Sequence, residues 1–90
     1  MPRPCKQRRV RGYPISSYFK PNGIPKRDLE EIILTNEEFE AIRLKDYEDL
    51  EQIECAKQME ISQTTFHRII TIARKKVSDA IINGKAIKIN

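Results

Sequence analysis

The sequence predicts a mainly α fold: a tri-helical helix-turn-helix core, an extended basic arm at the N-terminus and short terminal strands. Three observations predict it. An apolar stripe at helical spacing runs from Phe66 to Ile81, a shorter helical pattern precedes it across a tight connection, and a capping box opens another helix at Thr35. Ninety residues allow a single domain. Within it, residues 1–27 read as the basic arm and a turn-rich segment, and residues 28–90 as the helix-turn-helix unit.

The longest element carries most information. With Phe66 as the zero of a helical wheel, Ile69, Ile70, Ala73, Val77, Ala80 and Ile81 fall on one continuous stripe. The opposite side carries Thr64, Arg68, Thr71, Lys75 and Ser78, with His67 and Arg74 on its flank, and no acid appears on this helix before Asp79. Ser62 suits the N-cap, because its hydroxyl accepts from the free amides of the first turn. Asn83-Gly84 suits the stop, because both residues tolerate a left-handed backbone.

An ordinary amphipathic helix with a solvated polar face has the same pattern, and the residues upstream favour a helix-turn-helix over it. Gln52 to Met59 forms a short helix with a small residue, Ala56, where the two helices would cross. Cys55, Met59, Ile61, Phe66 and Ile69 are the apolar residues that lock such a turn. Glu60 stands where glycine usually relieves a positive φ, which implies backbone strain or a non-standard turn.

Elsewhere the chain reads in order. Met1 to Arg11 has no hydrophobic period, and Pro2 and Pro4 keep it extended. An extended basic segment suits phosphates or a narrow minor groove. Tyr13, Ile15, Ser17 and Phe19 alternate as a short strand that Pro14 restricts to a sheet edge. Lys20 to Pro25 is a loop around the turn Asn22-Gly23. Asp28 to Leu34 is ambiguous: Asp28 to Glu31 could cap a single helical turn, and Ile32 to Leu34 could be a short buried extended piece. Thr35 then caps a helix with Glu38 reaching back, and Leu34 and Phe39 form a hydrophobic staple. That helix runs to about Asp46, with Arg43 and Lys45 in its last turn, and Tyr47 to Leu50 links it onward. Lys85 to Ile89 alternates as a terminal strand, suited to pairing with residues 15–19 of the same molecule or of a partner.

Charge is segregated along the chain. Residues 1–27 hold eight bases and no acid, residues 28–60 twelve acids against three bases, and residues 61–90 six bases against one acid. A basic arm and a basic helix on either side of an acidic scaffold make a directional field suited to nucleic acid.

Several stretches resemble one family. They are Met1-Pro2-Arg3-Pro4, Tyr18-Phe19-Lys20-Pro21-Asn22-Gly23-Ile24-Pro25, the run from Leu34 to Leu44, the unit from Leu50 to Ile70, and Asn83-Gly84-Lys85-Ala86. Together they are similar to an uncharacterised (UPF-type) family of small prokaryotic predicted DNA-binding proteins, whose helix-turn-helix is similar to region four of bacterial sigma factors. The resemblance covers nearly the whole chain and implies a tri-helical DNA-binding core with a role in transcription. Two positions depart from the pattern: Glu60 replaces the usual turn glycine, and Gln63 replaces the arginine that commonly follows the capping serine.

Other classes are disfavoured. The single histidine, His67, has no carboxylate within a helical turn to orient it, and no phosphate-cradling glycine loop exists, so no enzyme and no cofactor are expected. Cys5 and Cys55 sit in unrelated contexts that offer neither metal-ligand spacing nor a disulfide framework, which suits a reducing cytoplasm. Cys55 and Met59 read as core residues. No membrane span, signal peptide or small-molecule substrate is evident.

The expected partner is double-stranded DNA. Gln63 suits adenine, Arg68 guanine, and Thr64 or Thr71 a phosphate or a thymine methyl, with His67 beside them. Arg74 and Lys75 suit phosphate, as do Arg3, Lys6, Arg8, Arg9 and Arg11 of the arm. An adaptor docking a basic protein on the acidic middle, and an RNA binder stacking bases on Tyr13, Tyr18 and Phe19, are the rival readings. A homodimer is also expected. Ile72 and Ile82 lie off the stripe, and Ile87 and Ile89 sit on a strand short enough to need a partner.

Overall fold

The structure is a computed structural model that describes residues 13–90. It is mainly helical, with a small three-stranded sheet. In chain order the elements are β1 (Tyr18–Phe19), β2 (Glu31–Leu34), α1 (Asn36–Ile42), α2 (Gln52–Met59), α3 (Gln63–Asn83) and β3 (Ala86–Ile89). A 3-10 turn, Lys26–Asp28, precedes β2, and a π-helical turn, Arg43–Tyr47, follows α1.

Local chemistry accounts for the helix ends. The Thr35 side chain accepts from the Glu38 amide at 3.1 Å, and the Glu38 carboxylate accepts from the Thr35 amide at 2.9 Å, completing the capping box. Phe39 packs against the cluster of Leu34, Ala73 and Ile89, the side on which a staple across that cap would lie. Ser62 caps α3 by accepting from the Thr65 amide at 3.1 Å, and Gly84 closes it in the left-handed region at φ 67°. The helical run from Asn36 reaches Tyr47, close to the expected end at Asp46, but its last five residues are π-helical. The Glu48 amide donates to the Arg43 carbonyl at 2.8 Å, so α1 gives way to the wider π turn before reaching Asp46.

Two apolar clusters share α3. Its first half sets Phe66 and Ile70 against Ala41, Leu44, Cys55, Ala56 and Met59, all buried. Its middle sets Ala73 against Leu34 and Ile89, with Phe39, Ile42, Val77 and Ile87 around them. Cys55 and Met59 are therefore core residues, and burial pushes the Cys55 thiol above its ordinary range.

The strand order is β1-β3-β2. β3 runs parallel to β2, Leu34 opposite Ile89, and antiparallel to β1, Tyr18 opposite Lys88. The terminal segment thus finds its partners within the chain and forms the centre of the sheet. Ile89 is buried and Ile87 packs against the second cluster, so neither needs a second molecule to cover it. The expected strand at residues 13–19 contracts to two residues. Tyr18 is pinned there by a 2.6 Å hydrogen bond from its hydroxyl to Glu31, and the Lys26 ammonium lies 4.7 Å from its ring centroid.

The stripe of α3 departs from expectation at one position. Phe66, Ile70, Ala73 and Ala80 are buried, but Ile81 is 73% exposed. It keeps its place on the helical wheel but lines an open groove together with Phe19, Pro21 and Ile87.

Candidate nucleic-acid interface

α2 and α3 are joined by Glu60-Ile61-Ser62. Glu60 adopts φ 61°, ψ 43°, the left-handed conformation expected at this position. Its amide donates to the Ala56 and Lys57 carbonyls, and the Ile61 amide donates to the Ala56 carbonyl at 3.0 Å. This paired arrangement satisfies the last carbonyls of α2 and turns the chain sharply. Ala56, 2% exposed, leaves room for close approach of the two helices, and Phe66 and Met59 fill the angle between them.

With Phe66 and Ile70 held inward, the other side of α3 faces outward. Gln63, Thr64, His67, Arg68, Thr71 and Lys75 are all exposed. Thr64, Arg68, Thr71 and Lys75 lie within about 60° of one another around the helix and span about 16 Å of its length, by the 100° and 1.5 Å steps of an α-helix. Among the described residues none of these side chains is committed to an ion pair. The row combines amide, hydroxyl, imidazole, guanidinium and ammonium groups without a carboxylate.

Arg74 is placed differently. Its guanidinium donates twice to Asp46 in the π turn, at 2.6 and 3.1 Å, and the pairing holds the aspartate below and the arginine above its ordinary pKa. Lys76 is likewise occupied, donating at 2.7 Å both to Glu38 and to the Ile33 carbonyl. The second half of α3 thus spends two of its bases on the acidic scaffold. Arg68 and Lys75 remain as the outward cations of the helix. The five arm bases, Arg3, Lys6, Arg8, Arg9 and Arg11, lie outside the described residues.

Sequence reasoning missed four groups that position this surface. Gln52, at the start of α2, donates from its side-chain amide to the Gln63 carbonyl at 3.5 Å and links the first turns of both helices. Asp46 and Lys76 anchor α3 from behind. Glu40, 1% exposed, accepts from Arg43 through both carboxylate oxygens at 2.9 Å, and Arg43 also reaches Glu48 at 3.4 Å. Only Glu40–Arg43 had a local signal, the i, i+3 spacing of opposite charges on a helix. Among the described residues no group of histidine, cysteine and acidic side chains is arranged to hold a metal ion, and no helix is long and apolar enough to cross a membrane.

These features define a small, mainly helical protein whose three helices are closed by a three-stranded sheet. The chain belongs to the family described as protein of unknown function DUF134, whose model matches residues 1–90. It is 63% identical over 89 residues to a UPF0251 protein of Caldanaerobacter subterraneus subsp. tengcongensis, covering 99% of this chain and 75% of that relative. A UPF0251 protein of Thermoanaerobacter pseudethanolicus is 60% identical over the same shares of both chains. One from Clostridium botulinum is 56% identical over 90 residues, all of this chain and 57% of that relative. No solved structure matches the chain.

Proposed function

We propose that the protein is a sequence-specific DNA-binding protein, a cytoplasmic transcriptional regulator in which α2, the Glu60 turn and α3 act as a helix-turn-helix similar to region four of sigma factors. The observation that carries this reading is the outward face of α3. Gln63, Thr64, His67, Arg68 and Thr71 project from its first half, free of acids and backed by a buried core. A helix presented in this way suits the major groove, with Gln63 on adenine, Arg68 on guanine and the threonines on phosphate or a thymine methyl. Lys75 and the bases of the arm supply phosphate contacts and salt dependence.

Two acids of the middle segment, Asp46 and Glu38, are engaged by Arg74 and Lys76 of α3 rather than offered to a basic partner, which favours this reading over a basic-protein adaptor. The test is direct. Fluorescence anisotropy is measured with random duplex DNA, a duplex selected from a random pool, and structured RNA. Tighter binding to the selected duplex than to random duplex or RNA is the expected result. Equal binding to all three, or binding to RNA alone, overturns it.

A further inference from the structure

We propose that Asp46 sets the affinity of the α3 surface for DNA: its carboxylate takes the place of a phosphate on Arg74 and holds that cation back from the duplex. Asp46 is then a positioning residue that acts through Arg74. The proposal rests on the DNA reading above and deepens it.

Arg74 stands on the flank of the outward row. By the 100° step of an α-helix it lies about 60° round from Thr71 and about 20° from His67, and about 9 Å along the axis from Arg68. A helix about 10–12 Å across fills a major groove about 12 Å wide, so its flanks run beside the phosphate strands. The Arg74 side chain is 51% exposed at that flank, where a cation suits phosphate.

Its fork is occupied instead. Nε donates to one Asp46 carboxylate oxygen at 3.1 Å and Nη2 to the other at 2.6 Å. The hydrogen bonds from Arg74 hold the Asp46 carboxyl below the usual carboxylate range, so it is charged at neutral pH. A phosphate offers the same two-oxygen edge with the same sign of charge. Asp46 and a phosphate therefore compete for one set of donors.

The competitor is held in place. Asp46 lies in the π turn, where the Glu48 amide donates to the Arg43 carbonyl at 2.8 Å and the Leu50 amide to the Leu44 carbonyl at 3.1 Å. Leu44 is buried, and the Arg43 guanidinium is braced by Glu40 and Glu48. The carboxylate is thus fixed to the core, while Arg74 reaches it on a long, half-exposed side chain. Among the described residues the Asp46 side chain is hydrogen-bonded to Arg74 alone. Lys76 differs: it is tied both to the Ile33 carbonyl and to Glu38, which also completes the cap of α1.

With the pair closed, Arg68 and Lys75 are the cations that α3 brings to DNA. Removing the carboxylate returns a third, and with it one phosphate contact on any duplex, whatever its sequence. Anisotropy titrations between 50 and 200 mM salt test this with random and selected duplexes. The proteins compared are the unmodified chain, Asp46→Asn, Asp46→Ala, Arg74→Ala and the double variant Asp46→Asn/Arg74→Ala, each checked for helical circular dichroism.

Both Asp46 variants are expected to bind both duplexes more tightly, with a slope of log affinity against log salt steeper by about 0.9, the value for one further phosphate. Their gain should accordingly be about 3.5-fold larger at 50 than at 200 mM salt. Loss of a merely structural contact would leave that slope unmoved. Arg74→Ala should do little alone and cancel the gain in the Asp46→Asn background. An unchanged slope in both Asp46 variants, or a gain that survives Arg74→Ala, overturns the proposal; if the unmodified protein still prefers the selected duplex, the DNA reading stands. Steeper slopes without any preference for the selected duplex support the exchange and remove sequence-specific reading. Absence of duplex binding by every one of these proteins overturns both.

Discussion

Arg74 on α3 and Asp46 in the π turn stand 2.6 Å apart and share two hydrogen bonds across 28 residues of sequence. The pair is about half exposed on the arginine side and 40% on the aspartate side, so solvent screens it and about 0.5–1 kcal/mol is its expected worth. The hydrogen bond from Arg74 lowers the Asp46 pKa in the folded state. Its stabilisation is therefore present above the ordinary aspartate pKa and lost as pH falls through the depressed one, below about pH 4. Asp46→Asn should lower the melting temperature at pH 7, and the gap to the unmodified protein should shrink on acidification. A gap constant down to pH 3 would show that the difference does not come from the ionised Asp46 carboxylate.

Glu60 at φ 61° supports a second prediction. The left-handed region brings Cβ close to neighbouring backbone, a cost of about 1–2 kcal/mol that glycine avoids. Glycine also loses more chain entropy on folding, so Glu60→Gly is expected to be neutral or stabilising by up to about 1 kcal/mol. Thermal melts decide it. A clear loss of stability would mean that contacts of the Glu60 side chain outweigh the backbone strain. Asp49, at φ 62°, should gain less from the same change, since aspartate tolerates this region better.

The third prediction concerns Glu38, which accepts from the Thr35 amide at 2.9 Å and from Lys76 at 2.7 Å. Removing Thr35's hydroxyl by Thr35→Ala breaks one half of the capping box and should cost about 1 kcal/mol. Glu38→Ala breaks the other half and also leaves the Lys76 ammonium with only the Ile33 carbonyl. Its cost should be larger, about 2–3 kcal/mol. Equal losses in urea titrations of the two variants would show that the contact with α3 adds nothing to the cap.

The parts of this fold that could be read in sequence are those fixed by near neighbours. Ser62, Thr35 and Gly84 announce helix ends because capping is a matter of three or four adjacent residues. The Phe66 stripe announces α3 because its period is local. Asp49 gave no such signal, since an acid in a link looks the same at either sign of φ. Lys76 and Arg74 are ordinary helix bases until the fold brings Glu38 and Asp46 beside them. Ile81 shows the converse: it belongs to the same periodic stripe as Ile70, but burial also needs an element packed over it, and Ile81 instead lines an open groove. At the candidate site, periodicity identified the outward row of α3. It could not show that Arg74 is turned to the scaffold while Arg68 and Lys75 are left outward.

The last prediction separates the roles of helix and arm. Arg68 lies in the outward row with no hydrogen-bond or ion-pair partner among the described residues, so on the proposed reading its guanidinium is available for a paired contact to one guanine edge. Loss of such a contact costs about 1–3 kcal/mol and relaxes discrimination at that base pair alone. Arg68→Ala should therefore weaken the selected duplex more than random duplex. Deleting residues 2–11 removes Arg3, Lys6, Arg8, Arg9 and Arg11 together. If these bind phosphate, the deletion should weaken every duplex alike and flatten the dependence of log affinity on log salt, because fewer counterions are released. Arg74→Ala, with its side chain already engaged by Asp46, should change binding less than Lys75→Ala. Anisotropy titrations at several salt concentrations measure all four variants. Unchanged sequence preference in Arg68→Ala would show that the outward face of α3 is not the reading surface.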